Sequence, residues 1–216
     1  MSDQNIKPQT TGGIWFPNAF RPEVADAKKP IILHFHPGGY VMGDVRVDGA
    51  FAARLLSEKI GCYALWTDHG EAVGLPAPRG ALIFSPAVSF LAATDPKTVL
   101  ENPNYKNDYM DPTFVTWGAR RFVLNEPTAT TYMNPLQSPF KSPCPIWVYC
   151  GGCELFYDDA TEFVSKMKDI PGNEVSYVVK RLANHDISFA GNLLGWKTEA
   201  EKIADRAGRW VAELLH

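Results

Sequence analysis

The sequence of 216 residues contains 45% hydrophobic and 21% charged residues, which suits one sizeable core and is short for two independent domains. Its 21 basic and 24 acidic side chains are spread along the chain and give a net charge of −3, so no basic stripe favours nucleic acid or an anionic membrane as a partner. The polar N-terminus MSDQNIKPQT predicts neither a signal peptide nor a membrane span, and we expect a cytoplasmic protein whose four cysteines are reduced.

Short apolar strands alternate with amphipathic helices along the chain. Strands are predicted at 30–35, 62–67, 80–86, 145–150 and 174–182, and helices at 49–60, 156–168 and 194–215. This alternation predicts an α/β fold in one domain over residues 1–216, with a mostly parallel sheet covered by helices on both faces. The proline-rich segment 92–143 breaks the rhythm and predicts an irregular excursion that caps a binding site, with one helix near 113–124.

A glycine turn follows the first predicted strand, at His36-Pro37-Gly38-Gly39. Two adjacent glycines leave their backbone N–H groups accessible, and the N–H groups of Gly38 and Gly39 can converge on one small anion or polarised carbonyl oxygen. A tight turn also needs glycines and explains the pair equally well. The turn alone therefore leaves both interpretations open.

Two later strands end in an acid and a histidine, in that order. Glu154 follows the strand at 145–150, and His185 follows the strand at 174–182. Because the carboxyl ends of parallel strands meet at one edge of a sheet, this order suits a carboxylate that orients a general base. Taken separately, Glu154 is also explained as a solvated acid near a helix start, and His185 as a histidine satisfied in the core.

Five segments, in chain order, resemble the hormone-sensitive-lipase-type esterases of the α/β-hydrolase superfamily: HPGG, FAARLLSEKIGCYALWTD, GALIFSPAVSF, GGCELFYDD and NHDI. The resemblance runs from about residue 14 to the end. It implies a carboxylic ester hydrolase, and no cofactor or metal is expected. The aromatic residues of 105–140 predict a small, partly apolar ester or acyl substrate, although core packing explains them as well. The resemblance also implies that Gly38 and Gly39 are oxyanion donors in the motif begun by His36, that His185 is the base, and that Glu154 replaces the usual aspartate.

The nucleophile of that family is missing. No G-x-S-x-G occurs in the sequence, and each serine lacks the flanking glycines of a nucleophile elbow; Ser85, for example, is followed by Pro86. By the resemblance, Asp68 is joined directly to His69 where a loop, a helix, the central elbow strand and most of the elbow helix would normally intervene. Since a central strand is buried on both faces, we expect that the neighbouring strands close the gap or that an apolar edge stays open.

Other functions remain open at this stage. Without a serine, the chain can be a non-catalytic hydrolase-fold protein or a truncated gene product, and family analogy also allows a hydrolase or cyclase of secondary-metabolite biosynthesis. A third alternative is a thiol-redox protein, because Cys150-Gly151-Gly152-Cys153 lies between a strand and a predicted helix.

Overall fold

The computed structural model describes residues 13–26, 28–35, 51–67, 78–123 and 130–215. Its strands are β1 Gly13–Phe16, β2 Ile31–Phe35, β3 Tyr63–Thr67, β4 Ala81–Phe84, β5 Ile146–Gly151 and β6 Val175–Lys180. Its helices are α1 Phe51–Ile60, α2 Phe90–Ala93, α3 Pro96–Leu100, α4 Pro112–Phe122, α5 Thr130–Met133, α6 Tyr157–Asp169, α7 Ile187–Leu194 and α8 Lys197–Leu215. None of these helices has the length and apolarity to cross a membrane.

The six strands form two three-stranded sheets. The first has the order β1-β3-β2, with β3 antiparallel to β1 and parallel to β2, and the second has the order β4-β5-β6 with parallel pairing throughout. The predicted mostly parallel α/β architecture is therefore confirmed, although β1 was not predicted. β1 is only four residues long, and so short a segment gives little periodic signal.

β5 forms the centre of the second sheet, and every one of its residues is buried. Successive strand residues point to opposite faces. Val148 accordingly packs on one face with Phe163, Val164 and Met167 of α6, whereas Trp147 and Tyr149 pack in another cluster with residues of α7 and α8. The second sheet thus has helices on both faces, as the sequence predicted.

The helices, rather than strand pairing, join the two sheets in the described part of the chain. Leu55 and Leu56 of α1 form one buried cluster with Ala200 and Ala204 of α8, and Phe84 of β4 packs against it. On the first sheet, Phe189 of α7 packs on the cluster that contains Phe16 and Ala64. The C-terminal helices therefore contact both sheets.

A cavity of about 1500 Å³ is lined by β2 of the first sheet and by β4 of the second. Its edge includes apolar side chains that remain accessible, with Ile31 57% and Leu33 38% exposed. Of the two outcomes expected from the missing strand, the described residues show the open apolar edge, because β2 and β4 do not pair with each other. The proposed junction at Asp68 and His69 lies outside the described residues.

The segment 92–143 is more helical than predicted. α4 accounts for the helix expected near 113–124. The short helices α2, which ends inside this segment, α3 and α5 were not predicted. α3 and α4 each begin at an Asp-Pro pair, and the aspartate accepts hydrogen bonds from backbone N–H groups of the first turn. The N–H of Lys97 donates to Asp95 at 2.9 Å, and the N–H of Thr113 donates to Asp111 at 2.8 Å. Proline at the first helical position after such a cap is a start signal that the sequence contains.

Candidate active site

Three turns at the carboxyl ends of the second sheet bring their polar side chains together. Ser85 directly follows β4, Glu154 lies three residues after β5, and His185 lies in the turn between β6 and α7. The three strands are parallel and adjacent, so their carboxyl ends share one edge. The predicted acid and base therefore belong to one site, together with a serine that the sequence analysis set aside.

Glu154 is fully buried and holds both neighbours through its carboxylate. Its Oε2 lies 3.1 Å from Nδ1 of His185, whereas its Oε1 accepts hydrogen bonds from Oγ of Ser85 at 2.6 Å and from the backbone N–H of Gly151. A buried carboxylate is tolerated only when such donors compensate for its lost hydration. The carboxylate therefore fixes the orientation of the imidazole and is itself fixed by two donors.

The environment of His185 favours its protonated form. Burial disfavours the imidazolium, but the hydrogen bond to Glu154 and the negative charges of Glu154, Asp186 and Asp108 outweigh burial and raise the pKa of His185 to about 9. Near neutral pH, Glu154 and His185 are thus an ion pair. A general base must be neutral to accept a proton, so the interactions that raise this pKa oppose the form of His185 that can act as a base.

Aromatic rings restrict the imidazole from two directions. The ring of Phe156 meets it edge-on at a centroid distance of 5.2 Å, and the ring of Tyr109 lies at 6.2 Å. Such contacts remove rotamer freedom without adding a competing hydrogen bond to the ring. His185, whose side chain is 16% exposed, is held but still reachable.

The loop before α4 ties the acid turn to the base turn. Asp108 accepts the backbone N–H of Leu155 at 2.9 Å through Oδ2 and the backbone N–H of His185 at 3.2 Å through Oδ1. Nδ2 of Asn104 donates to the backbone oxygen of Glu154 at 2.9 Å. Sequence analysis did not identify these two residues, although the dense run of Asn and Asp in this loop is typical of side chains that bond to backbone.

Backbone strain is concentrated at the same place. Ser85 has φ of 46° and Asp186 has φ of 38°. Among the described residues, they are the only two residues other than glycine with positive φ. The N–H of Asp186 donates to Oγ of Ser85 at 3.0 Å, so the two strained residues support each other. Side chains larger than that of glycine rarely adopt this region, and such strain is typical of functional sites.

Replacing Ser85 by Ala is expected to lower the free energy of unfolding by about 1–3 kcal/mol, because Glu154 loses a donor and the N–H of Asp186 loses its acceptor in a buried site. Urea denaturation measures the change. The matched control is Ser57→Ala, which removes one buried hydroxyl that donates to the backbone oxygen of Cys62 at 2.9 Å. A loss for Ser85→Ala no larger than for Ser57→Ala would contradict the supporting role of Ser85.

A family model described as alpha/beta hydrolase fold matches residues 64–189, more than half of the chain. The chain belongs to the α/β-hydrolase fold family. Because the match includes β4, β5 and β6, it covers Ser85, Glu154 and His185.

Solved structures show the same fold over almost the whole chain. An esterase from the bacterial hormone-sensitive lipase family is 18% identical, with a TM-score of 0.73 over 96% of this chain and 85% of that one. An esterase/lipase from an uncultured bacterium is 17% identical, with a TM-score of 0.71 over 97% of this chain and 87% of that one. A hormone-sensitive lipase from a metagenome library is 14% identical, with a TM-score of 0.71 over 88% of this chain and 80% of that one. No curated protein matches the sequence.

In this α/β-hydrolase, packing explains the Cys-Gly-Gly-Cys run. A side chain at Gly151 or Gly152 would collide with the backbone of the turn after β6, so both positions need glycine for that close approach. Cys150 is fully buried, and burial raises the pKa of its thiol, the opposite of what a redox nucleophile requires. α6 begins only at Tyr157, so Cys153 lies before its first turn and not at the helix N-terminus assumed for a redox dithiol.

Several predicted features of the site fall outside the described residues. His36, Gly38 and Gly39, the proposed oxyanion motif, are among them, and their roles stay predictions. Among the described residues there is no group of three or more His, Cys, Asp or Glu side chains arranged to hold a metal ion.

Proposed function

We propose that this α/β-hydrolase carries the acid and base of a carboxylic ester hydrolase, with His185 as the base and Glu154 as the residue that orients it. The observation that carries the proposal is the buried hydrogen bond between Oε2 of Glu154 and Nδ1 of His185 at the carboxyl edge of the sheet. Gly38 and Gly39, in the turn begun by His36, would donate to the oxyanion. In such a site the base takes the proton of a serine hydroxyl as the oxygen attacks the ester carbonyl.

We further propose that this chain binds esters without turning them over. Ser85 is the one serine hydroxyl bonded to the pair in the described part of the chain, and it donates to Glu154 rather than to the imidazole. Ser85 is 4% exposed, so its hydroxyl is hardly accessible to a substrate. A hydroxyl that is not bonded to the base is a poor nucleophile, so no acyl-enzyme forms.

The substrate class follows from the cavity beside the pair. His185 and Ser85 line it together with apolar side chains of the segment 92–143, among them Val99, Phe114 and Val115. Apolar walls with a few polar groups at one end suit a small, partly apolar ester or acyl group. No observation supports a role in secondary metabolism, and a cytoplasmic location stays a prediction.

Hydrolysis of p-nitrophenyl butyrate tests the proposal. We expect the chain and its His185→Ala and Ser85→Ala variants to release p-nitrophenol at the rate of buffer alone, because removing the nucleophile of such a site costs on the order of 10⁶-fold in kcat. Turnover lost in both variants would make Ser85 a nucleophile and would contradict the absence of turnover. Turnover lost only in His185→Ala would show that His185 activates water directly.

Binding is tested separately with ethyl butyrate, followed through the imidazole resonances of His185. We expect these resonances to shift with ethyl butyrate and to stay in place with butylammonium, since a cation of similar length is disfavoured beside an imidazolium and in an apolar cavity. An ester that leaves the resonances unchanged at millimolar concentration would contradict ester binding at this site.

A further inference from the structure

Two strands from different sheets direct backbone hydrogen-bonding groups into the same cavity. In β4, Ala81 and Ser85 donate their N–H groups to the backbone oxygens of Pro145 and Tyr149, at 3.0 and 2.8 Å. Alternate residues of a strand bond to opposite sides, so Leu82 and Phe84 direct their N–H and C=O groups away from β5. Among the strands that the structure describes, β4 is the edge of its sheet; it also lines the cavity, and we place these groups toward it.

β2 also directs backbone hydrogen-bonding groups away from its neighbouring strand. The N–H of Tyr63 in β3 donates to the backbone oxygen of Pro30 at 3.0 Å, so Pro30 and every second residue after it face β3. Ile31 and Leu33, which alternate with these residues, direct their backbone groups away from β3. β2 is likewise an edge strand that lines the cavity. Within the described ranges, no hydrogen bond joins the outward groups of Ile31 and Leu33 to those of Leu82 and Phe84.

Most of the helical residues that line the cavity are apolar. α1 and α8 contribute Leu56, Val211 and Leu214, and α4 contributes Phe114 and Val115. The charged side chains among the described lining residues are Arg79, Asp159, His185 and Asp186. An occupant that lies between β2 and β4 would therefore have its side chains surrounded by hydrocarbon, and a charge on them would be costly.

The cavity is larger than a small molecule needs. Its volume of about 1500 Å³ exceeds the roughly 300–1000 Å³ of typical small-ligand pockets. A small ester also cannot bond to backbone groups along two separate strands. Each of the described strands of a second copy is already paired within one of its own sheets.

We propose that this interstrand slot, between β2 and β4, binds one extended polypeptide segment as a β-strand. The segment would complete the ladders of both sheets and join them into one sheet of seven strands. A strand buried on both faces is a continuous apolar run, so the partner is an uncharged, proline-free segment rich in Val and Ile. This interaction lies beyond ester binding and does not depend on Glu154 or His185.

Amide hydrogen exchange on the full chain tests the proposal with a defined probe. The probe is a synthetic peptide with the core Val-Ile-Val-Ala-Val-Val and two lysines at each end. We expect it to slow exchange at Leu82, Phe84, Ile31 and Leu33 by at least about tenfold, because their N–H groups gain acceptors. The amides of Ala81 and Ser85, already bonded to β5, are the internal control and should change less.

Two matched changes separate strand pairing from adhesion to an apolar surface. The same peptide N-methylated at alternate core residues should not protect these amides, since it cannot complete a ladder. Leu33→Pro removes an N–H that faces the slot and spares the bonds to β3, so it should weaken peptide binding about five- to tenfold more than Leu33→Ala does.

Equal protection by the N-methylated peptide, or none by the unmodified one, would overturn the proposal. Slow exchange at the slot amides before any peptide is added, in a chain that sediments as a dimer, would show that a second copy fills the slot and would also overturn it. Neither measurement involves ester binding or turnover, so its failure is distinct from a failure of the proposed function.

Discussion

Replacing Glu154 by Gln is expected to lower the free energy of unfolding by about 3–5 kcal/mol, the typical cost of breaking a buried ion pair from one side. The carboxylate is fully buried and is the acceptor for Ser85, Gly151 and His185 at once. The amide that replaces it removes the charge that offsets the burial of His185. We therefore also expect the pKa of His185 to fall below its value of about 9, because the charge of Glu154 is lost while burial still opposes the imidazolium; the charges of Asp186 and Asp108 limit the fall.

Urea denaturation and an NMR titration of the imidazole measure these two quantities. Glu162→Gln is the matched control, since Glu162 pairs with Lys166 at 2.7 Å on the surface of α6, with 54% of the glutamate side chain exposed. Exposed pairs of this kind contribute about 0–1 kcal/mol. Similar losses for the two variants, with the pKa of His185 unchanged, would show that Glu154 and His185 do not form the buried ion pair described above.

Stability is expected to decrease as the pH rises from about 6.5 to about 9. The pKa of His185 is about 9 in the folded protein and about 6.5 in an unfolded chain, so the folded state binds this proton more tightly. The resulting stabilisation is complete below pH 6.5 and is lost as the pH rises through 9. A difference of this size corresponds to about 3 kcal/mol at most.

Free energies of unfolding from urea titrations between pH 6 and pH 9 measure this dependence, with His185→Gln as the control. The variant should show a much flatter profile because glutamine does not titrate. Burial also raises the pKa of Cys62, to about 11, and any contribution of that thiol to the profile falls above pH 9. Parallel profiles for the two proteins would contradict the raised pKa of His185.

The sequence was informative where one strand carries a strong local signal. The apolar runs that became β2 to β6 were predicted with bounds wrong by at most two residues at either end, and the acid and histidine that follow β5 and β6 lie at one edge as expected. Their catalytic roles stay predictions. The open edge at Ile31 and Leu33 followed from the resemblance, because it located a missing central strand that composition alone does not reveal.

The contributions of Ser85 and Asp108 could not be predicted, because they depend on contacts between distant segments. Ser85 meets Glu154 across 69 positions of sequence, and Asp108 meets His185 across 77. Pro86 after Ser85 argues from the sequence against a nucleophile elbow, but it says nothing of a buried hydroxyl that donates to an acid. Its positive φ likewise depends on the fold and not on local propensity.

The contact of α1 with α8 affects how the protein folds during its synthesis on the ribosome. The first sheet and α1 emerge early, yet the cluster that covers Leu55 and Leu56 is completed by Ala200 and Ala204, near the end of the chain. Because a domain folds as a unit, this apolar surface stays uncovered until almost the whole chain has been translated. We therefore expect the nascent chain to expose Leu55 and Leu56 until its C-terminal helix has been made.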